Sequence, residues 1–93
     1  MAKKLSDDAI TSGLTALSGW SRDGETIARQ FEFSDFVAAL GFITQVGVLA
    51  ERANHHPELT NVYNRVRVAL STHDAGGITQ KDFDLAREIS ERA

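Results

Sequence analysis

The chain has 93 residues but no cysteine and a single proline. The absence of cysteine excludes disulfides, thiolate catalysis and cysteine-ligated zinc. The first residues lack the apolar run of a signal peptide, and we expect no apolar stretch that approaches membrane-spanning length. Apolar residues make up 42% of the chain and charged residues 25%, which is ordinary for a globular protein. We therefore expect one cytoplasmic domain over residues 1–93.

Basic charge is also scarce. The formal net charge is −3, and the ten Lys and Arg residues are scattered along the sequence. A protein that binds nucleic acid normally carries a clustered basic face. We therefore expect neither a nucleic-acid partner nor a membrane partner.

Helical and strand periodicities alternate along the chain. Ser6, Ser34 and Thr79 fit as helix N-caps. The pattern predicts helices at residues 7–17 and 34–54 and a third helix after Thr79, with strands at residues 20–22, 26–33 and 62–72, the last being the longest and central. This order, α-β-β-α-β-α, predicts an α+β fold with an antiparallel sheet of three to four strands and three helices packed on one face.

The helix predicted at residues 34–54 is more apolar than one sheet requires. One stripe begins with Phe36 and Leu40, and a second begins with Ala39 and Phe42. A helix lying on a sheet needs an apolar face of roughly 100°, and this helix has close to twice that. A second copy of the chain is the simplest cover for the surplus, which predicts a homo-oligomer.

The three histidines are the side chains expected to titrate near neutral pH. His55 and His56 stand beside Pro57, on a stiff corner where the helix ends. His73 ends the predicted long strand. Each histidine alone could have a simple structural role, as a helix C-terminal cap or a turn residue. Together they favour a site of acid–base chemistry.

Two carboxylates lie at positions that could support these histidines. Glu51 precedes His55 by one helical turn and could orient its imidazole, or form a surface pair of little energetic value. Asp82 ends the segment Thr79-Gln80-Lys81-Asp82, which fits a capping box, and a capping role is favoured for it.

A metal site is not expected. Three imidazoles and Glu51 would suit zinc chemically. However, neighbouring residues of an extended segment point in opposite directions, so His55 and His56 should not share one ion. The helical spacing His-x-x-x-His is absent as well.

The spacing of these residues resembles the signature of the pterin-4a-carbinolamine dehydratases, over nearly the whole chain. The pattern runs Glu51-x-x-x-His55-His56-Pro57, then five residues to Tyr63, nine to His73 and eight to Asp82. The resemblance implies a dehydratase that converts 4a-hydroxytetrahydropterin to quinonoid dihydropterin and water. The reaction would serve tetrahydrobiopterin recycling in aromatic amino acid hydroxylation. The pterin is then the substrate, and no cofactor is implied.

The resemblance also implies site residues. His55 and His73 would be the acid–base pair, in an order that the sequence leaves open, and His56 would chiefly bind and position the pterin. The walls of the site would come from Asn54 and from Ser71, Thr72, His73 and Asp74. Glu51 would orient His55, and Asp82 is a further supporting candidate. The family forms tetramers through the helix at residues 34–54, and the choice between dimer and tetramer stays open. The alternatives are a non-catalytic oligomeric adaptor or a pterin-handling protein of molybdenum cofactor metabolism.

Overall fold

The computed structural model describes residues 2–93. Its elements are α1 (Asp7–Thr15), β1 (Ser21–Asp23), β2 (Thr26–Glu32), α2 (Phe36–Ala53), β3 (Glu58–Val62), β4 (Arg65–Leu70), a short 3₁₀ turn (His73–Ala75) and α3 (Gln80–Ser90). The four strands form one antiparallel sheet in the order β1-β2-β4-β3. The predicted α+β class with an antiparallel sheet is confirmed.

One continuous core lies between the helices and the inner face of the sheet. The sheet contributes Ile27 and Phe31 from β2 and the alternate residues Val66, Val68 and Leu70 from β4. The helices contribute residues at helical spacing, among them Ile10, Ala39, Phe42, Val46, Phe83, Ala86 and Ile89. Because strand side chains alternate between faces, the outer face of the same strands carries polar residues such as Gln30 and Arg67.

The strand predicted at residues 62–72 is confirmed over β4, but its start is wrong, because Val62 ends β3 and the chain turns there into the hairpin β3–β4. The turn places Tyr63 at a φ of 51°. Directly paired residues of antiparallel strands share a face, and Val62 pairs with Arg65. Val62 therefore lies on the outer face, 56% exposed, and not beside Val66. β4 is central as expected, but β2 is the longest strand, with seven residues.

The helix caps explain where the helices begin. Ser6 accepts a hydrogen bond from the Ala9 N–H, as predicted. The cap of α2 is Asp35, whose carboxylate accepts from the Ala38 N–H, so the prediction of Ser34 is wrong by one residue. Thr79 caps α3 and forms a capping box with Asp82, as expected.

The inner stripe of α2 packs on the sheet while part of its outer surface stays exposed. Ala39, Phe42, Val46, Leu49 and Ala50 are buried. Phe36 and Leu40 are more than two-fifths exposed, and Val37 and Val48 are 75% and 62% exposed. The apolar surplus expected from the sequence is therefore present on the surface of this chain.

The expectation that no stretch approaches membrane-spanning length is wrong for α2. The helix has 18 residues with a mean hydropathy of 1.4, enough to cross a membrane by length and composition alone. One such helix is weak evidence of insertion, because core helices of water-soluble domains meet the same criterion. Its inner stripe lies against the sheet, which accounts for much of its apolar composition.

Candidate active site

The corner at the end of α2 is built by a left-handed residue. Asn54 has φ 50° and ψ 44°, a conformation that asparagine tolerates better than most residues. The Asn54 N–H donates to the Glu51 carbonyl and the His55 N–H to the Ala50 carbonyl, the two bonds of a Schellman motif. The chain therefore leaves the helix axis here, and His55 does not continue the helical surface.

His55 contacts a buried carboxylate on another helix. Its Nε2 lies 2.6 Å from Oδ1 of Asp82, and the two side chains are 11% and 0% exposed. Oδ2 of Asp82 accepts the Thr79 N–H at 2.9 Å, as the capping box requires. Asp82 is thus both a helix cap and the partner of His55, although the sequence favoured capping alone.

Two threonine hydroxyls complete the surroundings of Asp82. Oγ1 of Thr72 donates to Oδ2 of Asp82 at 2.9 Å and lies 2.6 Å from Oγ1 of Thr79. Thr72 was expected in the wall of a substrate site, but its side chain points inward and is 6% exposed. Through Asp82, the corner of residues 54–56 is joined to the corner of residues 71–74. The contribution of the Thr79 hydroxyl was missed, because its position in a helix-start motif accounts for it locally.

Glu51 pairs with the other histidine of the corner. Its Oε1 lies 2.8 Å from Nε2 of His56, and the two side chains are 82% and 59% exposed. The expectation that Glu51 orients His55 is therefore wrong. The left-handed turn at Asn54 is the reason, because spacing rules for helix faces do not extend past it.

His73 opens the short 3₁₀ turn that follows Thr72. The loop is closed by backbone bonds between Thr72 and Gly77 and by the Ala75 N–H, which donates to the Thr72 carbonyl. His73 and Asp74 are exposed. Within residues 2–93 the His73 ring makes no hydrogen bond, so it is available to an incoming ligand.

The two corner histidines line different cavities. His56 and Ser71 line one of about 170 Å³, together with Thr26, Glu58 and Ala69. His55 lines one of about 150 Å³ with Ala53 and four side chains of α3, namely Lys81, Asp84, Leu85 and Glu88. This agrees with the expectation that adjacent histidines point apart. Among residues 2–93 no group of three or more His, Asp or Glu side chains is arranged to hold a metal ion.

The fold and the site define a class: an α+β domain in which a buried carboxylate holds one of two adjacent histidines at a helix corner. The family model for pterin 4 alpha carbinolamine dehydratase matches residues 3–92. The chain belongs to the pterin-4-alpha-carbinolamine dehydratase family.

Individual relatives agree with this assignment. A provisionally named pterin-4-alpha-carbinolamine dehydratase of Natronomonas pharaonis is 50% identical, covering 100% of this chain and 99% of that protein. Another of the same provisional name, from Bradyrhizobium, is 53% identical over 96% of this chain and 91% of the relative. The crystal structure of a transcriptional coactivator/pterin dehydratase from Brucella melitensis is similar with a TM-score of 0.94, at 41% identity, covering 98% of this chain and 99% of that chain.

A more distant structure shares the fold alone. A pterin dehydratase-like protein, described as a RuBisCO assembly factor in the alpha-carboxysome, has a TM-score of 0.69 at 18% identity. The similarity covers 81% of this chain and 89% of that one. One fold therefore occurs both in proteins named as dehydratases and in a protein with an assembly role.

Proposed function

We propose that this protein dehydrates 4a-hydroxytetrahydropterin to quinonoid dihydropterin, with His55 and His73 as the acid–base pair. The observation that carries the proposal is the hydrogen-bonded path from His55 through Asp82 to Thr72, the residue before His73. It links the two histidine-bearing corners within one chain. Membership of the dehydratase family supports the same substrate class.

The chemistry requires two proton transfers. The C4a–O bond breaks, and the leaving hydroxyl takes a proton from a general acid and departs as water. The N5–H proton passes to a general base, and its electron pair forms the double bond between N5 and C4a. Imidazole serves in either role, since its ordinary pKa of ~6.5 lies near neutral pH. The acid–base pair ends with the same total number of protons, and no added cofactor is required.

The exposed histidines would contact the substrate directly. His73 has an exposed ring without an intramolecular hydrogen bond among the described residues, which suits a group that exchanges a proton with a ligand. His56 lies beside Ser71 at a cavity, so we assign His56 chiefly to binding and positioning. Asn54 and Asp74 are exposed at the two corners and remain candidates for contacts with the pterin. We assign the reaction to pterin recycling for aromatic amino acid hydroxylation in the cytoplasm.

The direct test is the dehydration of chemically generated 4a-hydroxytetrahydropterin by the wild-type protein, followed by absorbance against the spontaneous reaction. We expect acceleration proportional to protein concentration. A rate equal to the spontaneous one would reject the proposal. In that case a pterin of molybdenum cofactor metabolism or an adaptor role becomes the better account, and an adaptor would keep its partner binding after histidine substitution.

We also propose that a second copy of the chain covers the outer face of α2, defined by Phe36, Val37, Leu40 and Val48. These four apolar side chains are 43–75% exposed on one helix. An apolar patch of this kind is typical of an interface, and closed symmetry is the usual arrangement of copies. Size-exclusion chromatography with light scattering at micromolar concentration should give a dimer or tetramer, and a monomer would reject this part.

A further inference from the structure

Three buried polar side chains, those of Thr72, Thr79 and Asp82, form a connected cluster that contacts His55 through Asp82. Thr79 and Asp82 are 0% exposed and Thr72 is 6% exposed. Burying a hydroxyl or a carboxylate is costly unless hydrogen bonds replace those to water. Here every such group has a partner, since no buried side-chain nitrogen or oxygen in residues 2–93 lacks one. The cluster is therefore a complete network, in which the direction of each hydrogen bond can be worked out.

The direction follows from counting protons. A hydroxyl has one proton to donate. An ionised carboxylate has none, so Thr72 donates its proton to Asp82. The contact of 2.6 Å between the two hydroxyls must then use the proton of Thr79. Oγ1 of Thr79 in turn accepts the Lys81 N–H at 3.2 Å. The two hydroxyl protons of this network, those of Thr72 and Thr79, thus both point toward Asp82.

This arrangement decides what Asp82 offers to His55. Oδ2 already accepts two donors, the Thr79 N–H and the Thr72 hydroxyl. Oδ1 is left as an acceptor 2.6 Å from Nε2 of His55. The proton of that bond therefore lies on Nε2. In neutral His55 the lone pair available for proton exchange is then on Nδ1.

We infer that Thr72 is a positioning residue which, through Asp82, holds His55 in the Nε2–H tautomer and leaves Nδ1 as its proton-exchanging atom. This inference rests on the proposed function for its catalytic consequence, but the tautomer itself does not. The same residue closes the loop of His73 through its backbone bonds to Gly77. Thr72 thus serves both members of the proposed acid–base pair, one by its hydroxyl and the other by its backbone.

The tautomer can be measured without any turnover. Long-range ¹H–¹⁵N correlation spectra of the ¹⁵N-labelled wild-type protein, at about pH 9, above the ordinary titration range of histidine, distinguish a protonated from an unprotonated ring nitrogen. We expect His55 to show a protonated Nε2 and an unprotonated Nδ1. A protonated Nδ1 in the wild type overturns the inference.

Three variants then test the role of the hydroxyl. Thr72→Val keeps the shape of the side chain but has no donor, and we expect His55 to populate both tautomers. Thr72→Ser restores the hydroxyl and should restore the wild-type spectrum. Thr15→Val, at an exposed position of α1, is the matched control and should leave the His55 spectrum unchanged. A pure Nε2–H signal in folded Thr72→Val overturns the role of Thr72. Should that variant not fold, Thr72→Ala, which also lacks the hydroxyl, replaces it with the same expectation and the same overturning result.

Kinetics provide the link to catalysis. In Thr72→Val we expect kcat to fall by about tenfold with KM little changed, less than the ~10²–10⁴-fold typical of removing an acid–base group itself. Thr72→Ser should recover most of kcat. If the wild-type protein shows no dehydration at all, the proposed function fails while the spectra still decide the tautomer. An unchanged kcat in Thr72→Val, despite mixed tautomers, would contradict the catalytic part.

Discussion

Nε2 of His55 lies 2.6 Å from Oδ1 of Asp82, although the two residues are 27 positions apart in the sequence. This contact joins the end of α2 to the first turn of α3. The carboxylate is fully buried and is satisfied by the His55 ring, the Thr72 hydroxyl and the Thr79 N–H. The Asp82 carboxylate therefore fixes the position of the corner that carries the paired histidines.

The first prediction concerns the replacement of Asp82 by its amide. Asp82→Asn has nearly the same shape, but its NH₂ group must either face one of the donors that now bond to the carboxylate or force His55 into its other tautomer, with Nε2 as an acceptor. Leaving a buried polar group badly paired typically costs about 1–3 kcal/mol. We expect the free energy of unfolding, measured by urea denaturation, to fall by that amount.

The matched control is Asp84→Asn on the same helix. Asp84 is exposed and bonds to Gln80 at the surface, so its replacement should change the stability by less than about 0.5 kcal/mol. Equal stabilities of the two variants would show that the buried contact contributes nothing.

The second prediction separates the two carboxylates of the corner. Glu51→Gln should leave the tautomer of His55 unchanged and alter stability by less than about 0.5 kcal/mol, because its pair with His56 is exposed and such pairs contribute little. The same spectra and urea titrations measure both. A changed tautomer of His55 in Glu51→Gln would reinstate Glu51 as the partner of His55.

The third prediction concerns the outer face of α2. Leu40→Glu places a charge in the middle of this exposed apolar surface and should shift the oligomer toward monomer in light scattering, since a buried unpaired charge is costly. Ala16→Glu, after α1 and away from that face, is the control and should keep the wild-type mass. An unchanged mass for Leu40→Glu would show that this face of α2 is not the interface between copies.

The fourth prediction concerns pH. Hydrogen bonds from Lys4 and Arg22 lower the pKa of Glu25 below its ordinary 4.5, and a hydrogen bond from Arg22 lowers the pKa of Asp7 below its ordinary 3.8. A carboxylate whose pKa is lowered by folding stabilises the folded state above its unfolded pKa, and this contribution is lost as the pH falls through the folded pKa. Stability should therefore decline below about pH 4.5.

The measurement is the urea midpoint between neutral pH and about pH 3, compared with Glu25→Gln, whose decline should be shallower. These groups are exposed, so about 1 M salt should reduce the difference between the two proteins. Parallel curves for wild type and Glu25→Gln would show that the ion pairs of Glu25 do not cause the loss of stability at low pH.

The helix ends and the first hairpin could be predicted from the sequence because their signals are local. Ser6 and Thr79 cap α1 and α3 as predicted. β1 and β2 match two predicted strands, and the Asp23-Gly24 pair between them is a strong local hairpin signal. The second hairpin was missed because its turn contains Tyr63 and no glycine. A bulky residue at positive φ is uncommon, so the alternating residues around it resemble one continuous strand.

The sequence predicts candidate site residues but not how their side chains pair. The proximity of the two corners and the identity of each histidine's carboxylate partner depend on how α3 packs against α2. Local spacing favoured Glu51 for His55 and a cap for Asp82. Because of the left-handed turn at Asn54, Glu51 pairs with His56 and not with His55. Asp82 is buried and pairs with His55 in addition to its role at the start of α3. Long-range packing of this kind leaves no local signal in one sequence.

The activity and the stability of His73→Ala together test most directly whether this chain dehydrates pterins through its histidines. Because His73 is exposed and its ring makes no hydrogen bond within residues 2–93, we expect the free energy of unfolding to change by less than about 0.5 kcal/mol. We expect kcat for dehydration of 4a-hydroxytetrahydropterin to fall by ~10²–10⁴-fold, while Glu91→Ala, at the exposed end of α3, retains full activity. A folded His73→Ala protein with wild-type turnover would contradict the claim that this chain dehydrates pterins through the two histidine corners.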